Sequence, residues 1–284
     1  MKIYLDTNVI ADCIFDRDLE VKVKVESLRA SGAQFPFSPA HLEEFAVIFR
    51  EADESEADSL VARHVNFISD LSGNSGFMPG GKRGVVLRQE HPQECLDRVL
   101  AQYDLTYMAE ACEEFVQSGR DEKSFKEFMA KVGMPNLEDM GVAPYEALQN
   151  RYGIDKREIG NTPPEEIFKK GSILSALTGE MRLGGLHDEA PLQYSNVKEN
   201  FDKLQRYIDF LLRFMEKVGY RAEAAGRYRS RMHDVSHAIY ATGAEILVIG
   251  DAKFRDKVKA VYGFLGVPVL VMSKAEFMAM PAGG

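Results

Sequence analysis

Cysteine is scarce in this chain. Cys13, Cys95 and Cys112 are scattered, odd in number and without CxxC spacing, which excludes a disulfide framework and a zinc knuckle. They are expected to be buried or inert thiols. Long hydrophobic runs are also missing: the longest, such as residues 246–249 and 267–272, are far too short to span a bilayer. Asp6 interrupts the opening apolar run too early for a secretory leader. The expected location is cytoplasmic, with no membrane partner. Positive charge is not in excess either. Lys and Arg number 35 against 44 Asp and Glu, a formal charge of −9, which excludes a protein that coats nucleic acid indiscriminately. A local basic track remains open. No internal repeat of fixed period is present, and no GK[ST] follows the glycine-rich stretch 72–84, so a phosphate-cradling loop is not indicated there.

What is present is ordinary globular composition. With 284 residues, 45% of them hydrophobic and 28% charged, the chain can bury a substantial core in one large or two modest domains. Residues 2–5 read as a strand and Thr7 to Cys13 as the start of a helix. Residues 19–31 alternate by period, but their flanking charges and the SGA break favour a helix. A second strand is expected at residues 35–37, then a helix with Ser38 as N-cap and Pro39 in its first position.

The character changes after Glu51. An acidic run, EADESEAD, reads as a solvated helix face, and residues 72–84 read as a mobile loop. From His91 to about Ala225 the spacing is helical: Leu96, Val99, Leu100, Tyr103 and Tyr107 recur every three to four positions, as do Phe125, Phe128 and Met129. Thr162 with Glu165, and Asn196 with Glu199, read as capping boxes. Residues 183–193 read as a loop. At the end, alternation of helix and strand returns: a helix to about Ala241, a strand at 246–249, a helix across 254–264 and a strand in GVPVLVM. The expected fold is therefore α/β, a parallel sheet flanked by helices. Residues 1–50 and 226–284 form its core, and 51–225 a mostly α-helical insertion.

Two acids end apolar strands, Asp6 after residues 3–5 and Asp251 after 246–249. In open parallel sheets, side chains at the carboxyl ends of strands converge on one crevice. Asp234 opens a helical run before the second of these strands, and Glu43 and Glu44 fall early in the helix after residues 35–37. A cluster of Asp6, Glu44, Asp234 and Asp251 repels itself unless a cation is present. Mg²⁺ or Mn²⁺ suits such oxygen ligands, and a pair of ions suits phosphodiester cleavage. Taken singly, Asp6 and Asp251 are equally well read as helix caps, and Asp234 as part of an exposed helix face.

Asp6-Thr7-Asn8 after the first strand, Ser38 followed by Glu44-Phe45, Asp234 opening DVSHAIYA, and Asp251-Ala-Lys-Phe after ILVIG together resemble the PIN-domain nucleases. The resemblance covers roughly the first 50 and last 60 residues. It departs from the family pattern at Ile249, where Ser or Thr is common, and in the long interval between Glu44 and Asp234. It implies an endoribonuclease acting on single-stranded RNA, with Asp6, Glu44, Asp234 and Asp251 as metal ligands and Asn8 as their polar neighbour. Hydrolysis would leave a 5′-phosphate and a 3′-hydroxyl. Many small members are toxins held by an antitoxin, so an inhibitory protein partner fits the resemblance; a homo-oligomer is left open.

A basic, tyrosine-bearing stretch leads into Asp234. Arg221, Arg227, Arg229 and Arg231 with Tyr228 could neutralise phosphates and stack bases; an ordinary basic helix face is the equal alternative. His237 reads as a packing residue. His187, Asp188 and Glu189 form a compact set of metal-ligand types, better read as a polar loop tip. Two other functions fit parts of the chain. GDAKFRD, with Asp251 and Asp256, is similar to a motif of haloacid dehalogenase-like phosphatases, although Asn8 stands where that family has a second Asp. A catalytically silent PIN-like scaffold that binds RNA or protein is the other.

Overall fold

The computed structural model describes residues 1–51, 54–102, 145–184, 186, 192–222 and 228–281, without the side chains of 47–51, 54–58 and 228–232. Tyr103, Tyr107, Phe125, Phe128, Met129, Cys112, Arg227 and the His187, Asp188, Glu189 set lie outside the described residues.

Strand β1 (Ile3–Leu5) is followed by α1 (Thr7–Ile14), α2 (Leu19–Ala30), α3 (Pro39–Glu51) and α4 (Glu54–Ser72). A hairpin of β2 (Ser75–Pro79) and β3 (Val85–Gln89) leads to α5 (Pro92–Ala101). Then come α6 (Tyr145–Arg151), α7 (Lys156–Gly160), α8 (Gly171–Leu183), the single turn α9 (Tyr194–Val197) and the long α10 (Phe201–Lys217). The chain closes with α11 (Tyr228–Tyr240), β4 (Ile246–Ile249), α12 (Ala252–Leu265), β5 (Leu270–Ser273) and α13 (Lys274–Ala279). Among the described residues, no helix is long and apolar enough to cross a membrane.

The protein is α/β, with a parallel sheet in the order β1-β4-β5 flanked by helices. Leu5 pairs with Val248, and Val248 with Met272. Side chains alternate across a strand, and both faces of this sheet are covered, as parallel sheets require. Tyr4, Leu247, Ile249 and Val271 face one core, shared with α8, α10 and α12. Ile3, Leu5, Ile246 and Val248 face the other, shared with α1, α2 and α4.

The expected strand at 35–37 is reduced to isolated bridges. Gln34 bridges Lys2, and Phe37 bridges Gly76 in β2. Pro36 lies between them and has no N–H to continue a ladder. The stretch 72–84, expected to be a mobile loop, is corrected: most of it forms β2 and the turn into β3. Three of its glycines, Gly76, Gly80 and Gly84, serve close approach. Gly76 leaves no room for a Cβ beside Phe37 and Met78, and at Gly84 a Cβ would stand 1.8 Å from the Lys198 carbonyl oxygen. The hairpin is thereby docked at both ends, on Phe37 and just before α10. The middle of the chain thus contains a β-hairpin as well as helices.

Residues from Ile154 to Tyr220 share one hydrophobic core with the sheet. The apolar stripe of α10 explains this: Leu204, Ile208, Leu211, Leu212 and Met215 are all buried, at the three-to-four spacing of one helix face. Each fully buried side chain of this kind contributes about 2 kcal/mol. The expected caps shift by a few residues. Asn200, not Asn196, caps α10 by accepting from the Lys203 N–H at 3.0 Å, because Asn196 lies inside α9. Thr162 donates its hydroxyl to the Glu158 carbonyl at 2.9 Å, so it closes α7 and does not start the 3-10 turn Pro164–Lys169.

Candidate functional site

Segment 34–37 lies on one side of β1 and β4 on the other. The chain direction therefore splits at β1, the kind of position where open α/β sheets bind ligands beyond their strand carboxyl ends. Asp6 leaves β1 there and Asp251 follows β4. Helix α3, which starts beyond residues 35–37, brings Glu44, and α11 brings Asp234.

Asp6 is buried and caps α1. Its Oδ1 accepts from the Val9 N–H at 2.9 Å and its Oδ2 from the Gly250 N–H at 2.8 Å. Burial raises its pKa, these donors and His237 oppose the rise, and Glu44 adds to it; the result is about 6. Gly250 matters because a side chain there would crowd Asn8 and approach the Asp6 carboxylate. Asp251 caps α12, accepting from the Phe254 N–H at 2.8 Å. Both acids are thus helix caps, and capping fixes their orientation.

Asp234 is pushed well above the ordinary carboxylate range, first by burial and then by the charges of Glu44, Asp6 and Asp251, with Lys257 opposing. Three separate elements therefore act on one carboxyl group. Glu44 is displaced in the other direction. Burial would raise its pKa, but the His237 hydrogen bond, the imidazoles of His237 and His233, and a Thr7 hydrogen bond outweigh it. Glu43 has a different neighbour, His233 Nδ1 at 3.8 Å from its Oε2.

The polar chain behind Glu44 was not legible in the sequence. His237, buried on α11, places Nε2 2.9 Å from Glu44 Oε1 and 2.9 Å from Thr7 Oγ1. Its Nδ1 is 2.7 Å from the Tyr4 hydroxyl, which is 2.5 Å from Ser38 Oγ. Ser38 thus turns its hydroxyl to Tyr4, while its backbone N–H donates to His41 Nδ1 at 3.0 Å. His41 must then carry its proton on Nε2, which donates to the Leu5 carbonyl at 2.8 Å. Burial and the nearby His237 lower the His41 pKa to about 3, so it is neutral. The available signal was the spacing of His237 three residues after Asp234, which puts both on one helix face.

Among the described residues, no three Asp, Glu, His or Cys side chains form a ready-made coordination sphere. The acids sense one another's charge without being drawn around a common point. By chemistry, the donor set fits a hard divalent ion: carboxylate oxygens, mutual repulsion, and Glu44 held ionised. The fit is one of charge and donor type, and the carboxylates would have to close in.

Of the expected substrate contacts, Arg221 is committed elsewhere. Its Nε stands 3.0 Å from Asp256 Oδ2 and its Nη1 donates to the Gly160 carbonyl at 2.6 Å. Tyr228, Arg229 and Arg231 belong to α11, which also carries Asp234. Asp256 also pairs with Arg255 at 3.0 Å, so this acid of the phosphatase-like motif is held by two guanidinium groups. The thiols of Cys13 and Cys95 are buried and free, and burial pushes them up to about 11 and about 12.

In comparisons with known proteins, the chain matches no family model, no curated protein and no solved structure.

Proposed function

We propose that this chain is a metal-dependent endoribonuclease of PIN-like architecture, hydrolysing phosphodiester bonds in single-stranded RNA. One observation carries the reading: Asp6, Glu44 and Asp251 all bear electrostatically on Asp234 at the carboxyl ends of parallel strands. Asp6, Glu44, Asp234 and Asp251 would hold Mg²⁺ or Mn²⁺, and their number suits two ions. Bound there, such ions supply neutralising charge and Lewis acidity for phosphoryl chemistry. The protein's part is preorganisation. Backbone N–H groups fix Asp6 and Asp251, His237 fixes Glu44, and exposed Asn8 borders the cluster from the first turn of α1. Arg227, Arg229, Arg231 and Tyr228 would lead the strand toward Asp234. Arg221 braces this approach through Asp256 and does not itself meet phosphate. The choice of RNA and the cytoplasmic setting rest on the resemblance, as does an inhibitory protein partner.

A second reading has its own support. The lack of a ready-made coordination sphere among the described residues, with Ile249 buried where the family has a hydroxyl, favours a silent PIN-like scaffold. The test is cleavage of a labelled single-stranded RNA with Mn²⁺, with EDTA, and with Asp234→Asn. Metal-dependent cleavage lost in the variant supports the nuclease. Intact RNA and intact single-stranded DNA under every condition, from a folded protein, rejects it in favour of the scaffold.

A further inference from the structure

We propose that His237 is a positioning residue that fixes the Glu44 carboxylate for metal binding, with Tyr4 and Ser38 setting its tautomer. The inference rests on the metal-binding reading above. Its ground is the hydrogen-bond chain itself. Glu44 is a carboxylate and can only accept, so the His237 nitrogen 2.9 Å from Oε1, Nε2, must carry a proton. In the neutral ring Nδ1 is then the acceptor, and the Tyr4 hydroxyl 2.7 Å away is the donor. Tyr4 has spent its single proton, so the 2.5 Å contact to Ser38 Oγ must be donated by Ser38. The His41 nitrogen nearest Ser38, Nδ1, already accepts the Ser38 N–H, which leaves the Ser38 hydroxyl proton free for Tyr4.

Every proton in the chain therefore runs one way, from Ser38 through Tyr4 into the ring, while Nε2–H is shared between Glu44 Oε1 and Thr7 Oγ1, each 2.9 Å away, and the Thr7 hydroxyl donates its own proton to Glu44. Its parts come from four elements: β1 supplies Tyr4, the start of α1 Thr7, the start of α3 Ser38, and α11 His237. His237 is 1% exposed and Tyr4 wholly buried, so water does not compete for the Ser38–Tyr4–His237 bonds. The hydrogen bond occupies Glu44 Oε1, and Thr7 adds a second side-chain hydrogen bond to the same carboxylate. Glu44 itself is partly exposed, its side chain 31% accessible against 2% for His237, so without the imidazole it would sample several rotamers. Hydrogen-bonded partners of metal-binding carboxylates orient them, and losing one typically weakens metal binding about 10- to 100-fold.

The experiment measures Mn²⁺ binding by titration calorimetry on folded full-length protein, without RNA. Wild type, Glu44→Gln, His237→Phe, His237→Gln and Tyr4→Phe are compared. Gln can present an amide N–H near the place of Nε2, so it restores the donor without the ring. The expected result is about 10- to 100-fold weaker binding in His237→Phe, substantial recovery in His237→Gln, and a smaller loss in Tyr4→Phe. If wild type binds Mn²⁺ and a folded His237→Phe binds it equally well, the positioning role is overturned while the metal site stands. Equal weakening in Phe and Gln variants also overturns it, since a packing role alone would give that result. Absence of Mn²⁺ binding in wild type overturns the metal reading and this inference together. Wild type that binds Mn²⁺ but leaves RNA intact, with the Phe and Gln variants ordered as expected, supports the positioning role and rejects only the nuclease.

Discussion

Lys257 Nζ stands 2.7 Å from Glu216 Oε1, with both side chains buried. The pair joins α12 to α10 and so ties the middle of the chain to the sheet-bearing C-terminal segment. Lys257 is also the charge that most opposes the raised pKa of Asp234. One buried ammonium therefore links the helical layer to the acid cluster.

Breaking this pair on one side should be costly. Glu216→Gln should lower stability by about 3 kcal/mol, because a buried ammonium loses a close counter-ion. The double variant Glu216→Leu, Lys257→Met should be less damaged than either single change. Urea denaturation of the four proteins gives the coupling directly, and simple additivity would contradict it.

Asp234→Asn should make the metal-free protein more stable than wild type. It removes one of several repelling charges while keeping the side chain's shape. Melting in EDTA should show a higher Tm for the variant. Adding Mn²⁺ should raise the Tm of wild type more than that of Asp234→Asn, since ligand binding to the folded state stabilises it. A lower Tm for the variant in EDTA would mean that Asp234 is not under net repulsion.

Asp6 fixes the sign of a pH effect. Its folded pKa of about 6 lies above the ordinary 3.8, so between those values the folded protein holds more protons than the unfolded chain. Stability contributed by this group is therefore greatest at low pH and falls as pH rises from about 4 to about 6, by about 3 kcal/mol in total. Comparing denaturation of wild type and Asp6→Asn in EDTA across this window isolates it. The wild-type value should decline relative to the variant as pH rises; a flat difference would rule out the shift.

Gly84 should not tolerate a side chain. Its φ of 68° suits glycine, and a Cβ would collide with the Lys198 backbone. Gly84→Ala should cost about 3 kcal/mol or more from strain and steric overlap. Gly81, also at positive φ but with open space around it, should cost only about 1 kcal/mol on the same change. Thermal melts of the two variants test the ranking.

The basic track should divide in two. Arg221→Ala should lower stability, because its guanidinium braces Asp256 and Gly160. Replacing Arg227, Arg229 and Arg231 together by Gln should weaken RNA binding and flatten its salt dependence, by about 0.7 in log–log slope for each phosphate no longer neutralised. Equal salt slopes for the triple variant and wild type would remove these residues from the binding surface.

Local signals determined much of this protein. Short apolar runs set β1 and β4, and the acids at their ends, Asp6 and Asp251, set the starts of α1 and α12 as caps. Those features depend on neighbours within a few residues, which is where sequence periodicity and capping are legible. The hairpin at 75–89 was not, because Gly76 and Gly84 are required by close packing on Phe37 and Lys198, distant in sequence, and without those partners the stretch looks like a loop. The same reason hid the contacts of His237. Its spacing placed it beside Asp234 on α11, but only packing of α11 against β1 and α3 brought its two nitrogens between Glu44 and Tyr4. Charge repulsion among the acids follows the same division: the sequence supplied the carboxylates, and the packing of α3 and α11 beside the strand ends made Glu44, Asp6 and Asp251 bear on Asp234.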